Sequence, residues 1–260
     1  MMDDNSINWD EYVAAVWRTN KKYLKAVKDV DFMSLDSLIG IDDQKKKICY
    51  NTELFLSGYQ ANHVLLWGAR GMGKSSIIKG ILEKYHSKGL RVIEIPKDDL
   101  IYLLDICDDI REENYKFIIF CDDLSFEEGD ASYKALKSTL EGTIEAAPKN
   151  VLVYATSNRR HLLPEKMSDN YNRKVIDGEI HEGDAVEEKM SLSDRFGMSL
   201  SFYSVNQEIY LKMVDSYFGE NSENKEEIHQ EAIRFATQKG LRSGRVAKQF
   251  YNYYLHILEN

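Results

Sequence analysis

The residues best suited to chemistry lie in one short run, Gly68-Ala69-Arg70-Gly71-Met72-Gly73-Lys74-Ser75-Ser76, which fits G-x-x-x-x-G-K-[ST] at Gly68, Gly73, Lys74 and Ser75. From average composition, that pattern arises by chance in only about one chain in a hundred of this length. Glycines let the backbone wrap closely around a phosphate chain, with N–H groups and the N-terminus of a following helix facing the anion. Lys74 would reach the β and γ phosphates and the Ser75 hydroxyl would sit on Mg²⁺, so a nucleoside triphosphate is the expected ligand. Further on, the apolar run Phe117 to Cys121 ends in Asp122-Asp123. A carboxylate at the end of such a strand can hold the magnesium shell, which assigns Asp122; the next can polarise an attacking water, which assigns Asp123. A further strand end, Ala155-Thr156-Ser157-Asn158, offers Asn158 to bond the γ phosphate or orient water, and two more arginines stand out in Ser193-Asp194-Arg195-Phe196-Gly197 and Ser243-Gly244-Arg245.

To bring these groups together the chain must alternate strands and helices. Candidate strands are His63 to Trp67, Arg91 to Ile95, Lys116 to Cys121, Asn150 to Ala155 and Leu200 to Tyr203, with helices at about 74–87, 98–112 and 131–146 between them. The alternation predicts an α/β fold with a parallel five-stranded sheet, and the near-continuous apolar strands predict helices on both of its faces. Beyond Tyr203 the strand signal stops, and helical stretches at roughly 206–218, 223–239 and 244–258 predict a small all-helical domain. Upstream, Trp9, Tyr12, Val13, Val16, Leu24 and Val27 predict an amphipathic helix at about residues 8–28, which docks either on its own domain or on a partner. The expected divisions are an N-terminal helical segment at 1–35, an α/β nucleotide-binding domain at 36–205 and a helical domain at 206–260.

Composition narrows the partners. Against 34 Lys and Arg stand 43 Asp and Glu, a formal charge of -9, which disfavours a surface built to grip nucleic acid or anionic membrane and leaves room for a local basic patch only. Cys49, Cys107 and Cys121 include no CxxC pair, so neither a disulfide framework nor a zinc cluster is expected. The acidic start Met-Met-Asp-Asp-Asn-Ser is unlike a secretory signal, and no apolar run approaches the roughly 18 residues of a membrane helix, so a cytoplasmic protein without a membrane partner is expected. His63, His161, His181 and His256 lack ligand or triad spacing and read as structural or surface residues, and Lys45-Lys46-Lys47 reads as an exposed helix face.

The segment at about 159–193 reads as an insertion, in which Val175-Ile176-Asp177-Gly178-Glu179-Ile180 carries the Asp-Gly signal of a tight β-hairpin. Arg159, Arg160, Lys166, Arg173 and Lys174 make its first half basic and 177–188 is acidic, which fits either a local nucleic-acid patch or a solvated loop of mixed charge.

The order of these motifs resembles that of the AAA+ ATPases over about residues 36–258. In that resemblance Gly68 to Ser75 corresponds to the Walker A loop and Asp122-Asp123 to Walker B. Asn158 corresponds to sensor 1, Arg195 to an arginine finger acting on a neighbouring subunit, and Arg245 to sensor 2 on a helical lid. Leu38-Ile39-Gly40-Ile41 is similar to the segment that walls the adenine base, which adds Ile39, Gly40 and Ile41 to the expected nucleotide contacts. The resemblance implies Mg²⁺ and ATP as cofactors, hydrolysis to ADP and phosphate, nucleotide-dependent homo-oligomers and a protein partner whose identity it does not give. More narrowly, Phe120 to Glu127, Glu188 to Gly197 and Arg242 to Ala247 resemble a bacterial AAA+ family catalogued as a domain of unknown function.

Two departures qualify the resemblance. Asp123 stands where many AAA+ proteins have Glu, as in the replication-initiator and helicase-loader branch, which implies slow hydrolysis and a switch-like role. The aromatic-hydrophobic-Gly pore triplet of the unfoldases is replaced by Ile95-Pro96-Lys97-Asp98-Asp99-Leu100-Ile101-Tyr102, which argues against a polypeptide-threading motor.

Overall fold

The computed structural model describes residues 7–127, 130–141, 148–160, 162, 174–176, 179–181, 194–219 and 224–258. The five expected strands form as β3 (Val64–Gly68), β4 (Leu90–Glu94), β5 (Lys116–Cys121), β6 (Val151–Ser157) and β9 (Met198–Phe202). The sheet has seven strands rather than five, because two more precede them: β1 (Ala14–Arg18) and β2 (Tyr23–Ala26). Its order is β2-β1-β4-β5-β6-β3-β9, with every neighbouring pair parallel except β1 and β2.

The helix expected at about 8–28 is therefore a β-hairpin followed by a strap. Its apolar residues do recur at helical spacing, but they serve both faces of a sheet: Ala15 and Trp17 join one core and Ala14 the other. Lys21 and Lys22, expected on the polar side of a helix, make the turn, where both N–H groups donate to the Arg18 carbonyl and Lys22 takes a φ of +50°. Sequence periodicity could not register the deciding influence, the edge of β4, which pairs with Ala14, Ala15 and Val16. The N-terminal residues are thus part of the sheet and not a separate helical segment.

Alternation along the strands sends side chains to two cores. Phe117, Ile119 and Cys121 face α3 (Leu103–Asp109) and α4 (Ala131–Glu141), while Ile118 and Phe120 face α1 (Asp42–Leu56) and α2 (Lys74–Tyr85). The expected helix at 98–112 begins instead as a 3₁₀ turn, Lys97–Tyr102, set up by Pro96, and becomes α3 only at Leu103. The last part of the helix expected at 131–146 lies outside the described residues. In the insertion, β7 (Lys174–Ile176) and β8 (Glu179–His181) pair antiparallel with Val175 opposite Ile180. The Asp177-Gly178 turn and most of the mixed-charge loop lie outside the described residues.

The helical part consists of α5 (Gln207–Phe218), α6 (Lys225–Lys239) and α7 (Gly244–Leu258) around a core of its own that includes Tyr210, Val214, Ala232 and Phe250. Asn206 caps α5, its Oδ1 accepting from the Ile209 N–H at 2.9 Å. His63 is structural: its Nδ1 accepts from the Val153 N–H at 2.9 Å, and burial pulls its pKa down to about 4. The buried Cys107 and Cys121 thiols are each pushed up to about 12, chiefly by burial. Among the described residues, no helix is long and apolar enough to cross a membrane.

Candidate functional site

The phosphate loop leaves the C-terminal end of β3 and enters α2, whose first turn begins at Lys74 and holds no acidic side chain. That leaves the positive end of the helix open to an anion. The Lys74 ammonium donates to the carbonyls of Gly68 (2.7 Å) and Ala69 (2.9 Å) and to Asn158 Oδ1 (3.2 Å). Burial is the main cause holding its pKa below the usual lysine range; Asp122 and Asp123 oppose that shift, and Arg245 and Arg70 add to it.

The two acids are joined to the loop by hydrogen bonds. The Ser75 hydroxyl donates to Asp122 Oδ1 at 2.6 Å, and the Thr156 hydroxyl donates to the same oxygen. Thr156 Oγ1 in turn accepts from the Asp123 N–H at 2.9 Å, and Asn158 Nδ2 donates to Asp123 Oδ1. An unbroken path therefore runs from Ser75 through Asp122, Thr156, Asp123 and Asn158 to Lys74. Asp123 has a φ of +53°, a region few non-glycine residues enter, and the Thr156 bond together with Leu124 N–H donating to the Thr156 carbonyl (2.6 Å) holds it there.

These groups line a cavity of about 880 Å³, within the range of small-molecule sites. Arg70, Gly71, Met72, Gly73, Lys74, Ser75, Ser76, Asp122, Asp123, Asn158, Arg245, Ile39 and Ile41 all line it. Gly68 and Ala69 do not line it and serve through the carbonyls that hold Lys74. Gly40 does not line it either and lies against Ile209 of α5. The lining carries five cations against three carboxylates, which suits a ligand that stays anionic with a divalent ion bound.

Two features of the walls were not read from the sequence. The first is the strap from Val27 to Leu38, which returns from β2 across α2 and places Asp31, Met33 and Ser37 in the cavity lining. It crosses at Gly80, where a Cβ would stand 2.5 Å from Leu35 Cδ2 and 3.2 Å from the Met33 carbonyl oxygen, and Asp31 bonds Lys79 at 2.6 Å. The mid-helix Gly80 was the available signal, since glycine weakens a helix unless a close approach needs it. The second is the seat of the helical part on the loop. The Arg245 N–H donates to the Gly71 carbonyl at 3.3 Å, and a Cβ on Gly71 would meet Arg245 Cβ and Ser243 Oγ at 2.9 Å. Lys45, expected in solvent, is half-buried and donates to the Leu38 carbonyl at 2.8 Å, pinning the cavity wall, while Lys46 and Lys47 are exposed.

Arg195 is not brought to this cavity. Because β9 runs parallel to β3, with Met198 opposite Val64 and Phe202 opposite Gly68, Arg195 precedes the opposite end of the strands from the loop. The four steps from Met198 to Phe202, at about 3.3 Å each, already separate the two ends of this strand by about 13 Å. Oxygen donors suited to magnesium are present in Ser75 and Asp122. Among the described residues no group of three or more His, Cys, Asp or Glu could hold a metal, so a magnesium ion here would draw its remaining ligands from phosphate and water.

A phosphate loop on β3, adjacent acids after β5, an Asn after β6, parallel core strands in the order β4-β5-β6-β3-β9 and a helical part seated on the loop define an AAA+ fold. The ORC1 protein of Aeropyrum pernix, solved in complex with DNA, has a similar fold, with a TM-score of 0.56 and 11% identity over 81% of this chain and 58% of that one. The RuvB Holliday junction branch migration motor of Thermotoga maritima is similar at a TM-score of 0.48 and 15% identity, over 85% of this chain and 71% of that one. The chain belongs to the family described as protein of unknown function (DUF815), which matches residues 10–257. A comparison with curated proteins found no match.

Proposed function

We propose that the chain is an ATPase that binds Mg-ATP between its α/β and helical parts and hydrolyses it to ADP and phosphate, switching or remodelling a protein partner. One observation carries this reading: the hydrogen-bonded path from Ser75 to Lys74 joins all three strand-end motifs at one end of the sheet. Lys74 holds the β and γ phosphates, exchanging a loop carbonyl for a phosphate oxygen. Ser75 and Asp122 would hold the magnesium ion, which when bound neutralises phosphate charge. Asp123 accepts a hydrogen bond from the attacking water, and Asn158 fixes that carboxylate while facing the γ phosphate. The water oxygen bonds to the γ phosphorus as the bridge to ADP breaks. Leu38, Ile39 and Ile41 wall the base, and Arg245 answers the phosphate charge from the lid.

Arg195 is too far from its own loop to take part, so it acts on a neighbouring copy in a nucleotide-dependent homo-oligomer. Contacts of that kind are worth about 10³ to 10⁵ in rate. Calorimetry tests the site: Lys74→Ala should abolish ATP binding, and unchanged binding would sink the assignment. Asp123→Asn should bind ATP and lose turnover. Turnover negligible in wild type at every protein concentration would leave a nucleotide-gated adaptor in place of an ATPase.

A further inference from the structure

We propose that the outward side of the segment 98–109 is a docking surface for a cationic protein segment carrying an apolar anchor. Ile101 is 46% and Leu104 45% exposed, two large aliphatic side chains three residues apart, where the other large exposed apolar side chains among the described residues are aromatic. Asp105 and Asp108 continue the same side of the segment, at the three- and four-residue intervals that place side chains together, and Asp98 and Asp109 flank it. All four acids are exposed; Arg111 already pairs with Asp108 at 3.0 Å and Lys97 lies 3.7 Å from Asp98, so Asp105 and Asp109 carry most of the charge a partner would meet. Burial, with the nearby Asp105 and Asp108 adding to it, raises the Asp109 pKa above the usual carboxylate range.

Beneath this surface the packing is incompletely satisfied. The Trp17 indole lies against the Tyr102 ring, with centroids 5.4 Å apart, and its N–H is buried with no acceptor among the described residues. The preceding 3₁₀ turn runs for six residues, Lys97–Tyr102, longer than such turns usually persist. Lys97 anchors its start to Asp130 at 3.2 Å and the Ser132 hydroxyl donates to the Asp98 carbonyl at 3.2 Å, so the stripe is held outward from α4.

Charge selects the occupant. Nucleic acid and anionic lipid are repelled by the acids. A lysine- or arginine-bearing protein segment with an apolar side satisfies both the carboxylates and the aliphatic pair. This surface is independent of the nucleotide reading.

The test uses the full chain and a fluorescent amphipathic peptide of Leu and Lys, about five helical turns long. Two control peptides replace Leu by Ser, keeping the charge, or Lys by Glu, keeping the apolar side. The Leu/Lys peptide should bind wild type, as read by anisotropy, and both controls should bind at least about tenfold more weakly. Ile101→Ser with Leu104→Ser, and Asp105→Asn with Asp108→Asn, should each weaken it about tenfold, the second pair also flattening the salt dependence. Lack of binding by the Leu/Lys peptide overturns the proposal, as does equal binding of the Ser control or undiminished binding by the Ser pair. A wild-type dimer in sedimentation that the Ser pair dissolves would make this face a contact between copies and overturn it likewise. The peptide controls act on the wild-type chain, so the proposal stays testable if a variant fails to fold.

Discussion

Replacing Thr156 by valine keeps its shape and removes one hydroxyl, on which both acids depend. Thr156 is 1% exposed; its hydroxyl donates to Asp122 and accepts from the Asp123 N–H. A bond to a charged group contributes about 1.5–3 kcal/mol and a neutral one about 0.5–1.5, so the pair contributes about 2–4.5 kcal/mol. The extra valine methyl recovers less than about 1 kcal/mol of this. With a urea m-value of about 3 kcal/mol/M, the unfolding midpoint should fall by about 1 M. Thr156→Ser keeps the hydroxyl and loses one buried methyl, about 0.8 kcal/mol or about 0.3 M. In calorimetry Thr156→Val should also weaken Mg-ATP more than ATP without magnesium, because Asp122 loses one of the two donors that orient it. Equal midpoints for the valine and serine variants would refute the reasoning, since the hydroxyl would then be holding nothing.

Gly80→Ala should destabilise the chain by up to about 2 kcal/mol in urea unfolding: alanine favours a helix interior by about 1 kcal/mol, but its Cβ would stand 2.5 Å from Leu35 and 3.2 Å from the Met33 carbonyl, and overpacking costs about 1–3. A stabilised variant would show that the strap does not pack on α2. His63 has a folded-state pKa of about 4 against an unfolded value of 6.5, so the unfolded chain binds the extra proton first as pH falls. Stability should therefore decline by about 3 kcal/mol from pH 6.5 to 4, and His63→Asn should flatten that part of the profile; an unchanged slope would exclude His63 as its source. For Arg195, Arg195→Ala mixed with Asp123→Asn should regain turnover that neither has alone, because each can supply what the other lacks across an interface; no recovery at any ratio would remove the trans contact.

The five core strands and the loop were legible because their signals are local. Apolar runs such as Phe117 to Cys121 are buried on both faces whatever surrounds them, and the glycines around Lys74 are needed by the loop itself. The first hairpin was not legible, because Trp9, Val13, Val16 and Val27 support a helical period as well as a strand, and only the edge of β4 decides between them. The 3₁₀ turn after Pro96 was hidden for a similar reason: its apolar spacing continues smoothly into α3.

The candidate site divides along the same line. Each motif residue was visible at its own strand end, but Thr156 was passed over for Asn158 because a buried threonine in a strand is ordinary; its role exists only where β5 and β6 lie side by side and Cys121 pairs with Ala155. The strap carries this further. Asp31, Met33 and Ser37 wall the cavity, yet nothing in their own neighbourhood suggests it, since they are brought there by β1 and β2 pairing at the far edge of the sheet and by the room left at Gly80. The hairpin that lengthens the sheet thereby also fixes one wall of the cavity, so a change at that distant edge should be felt there although no residue of the Gly68–Ser75 loop has changed.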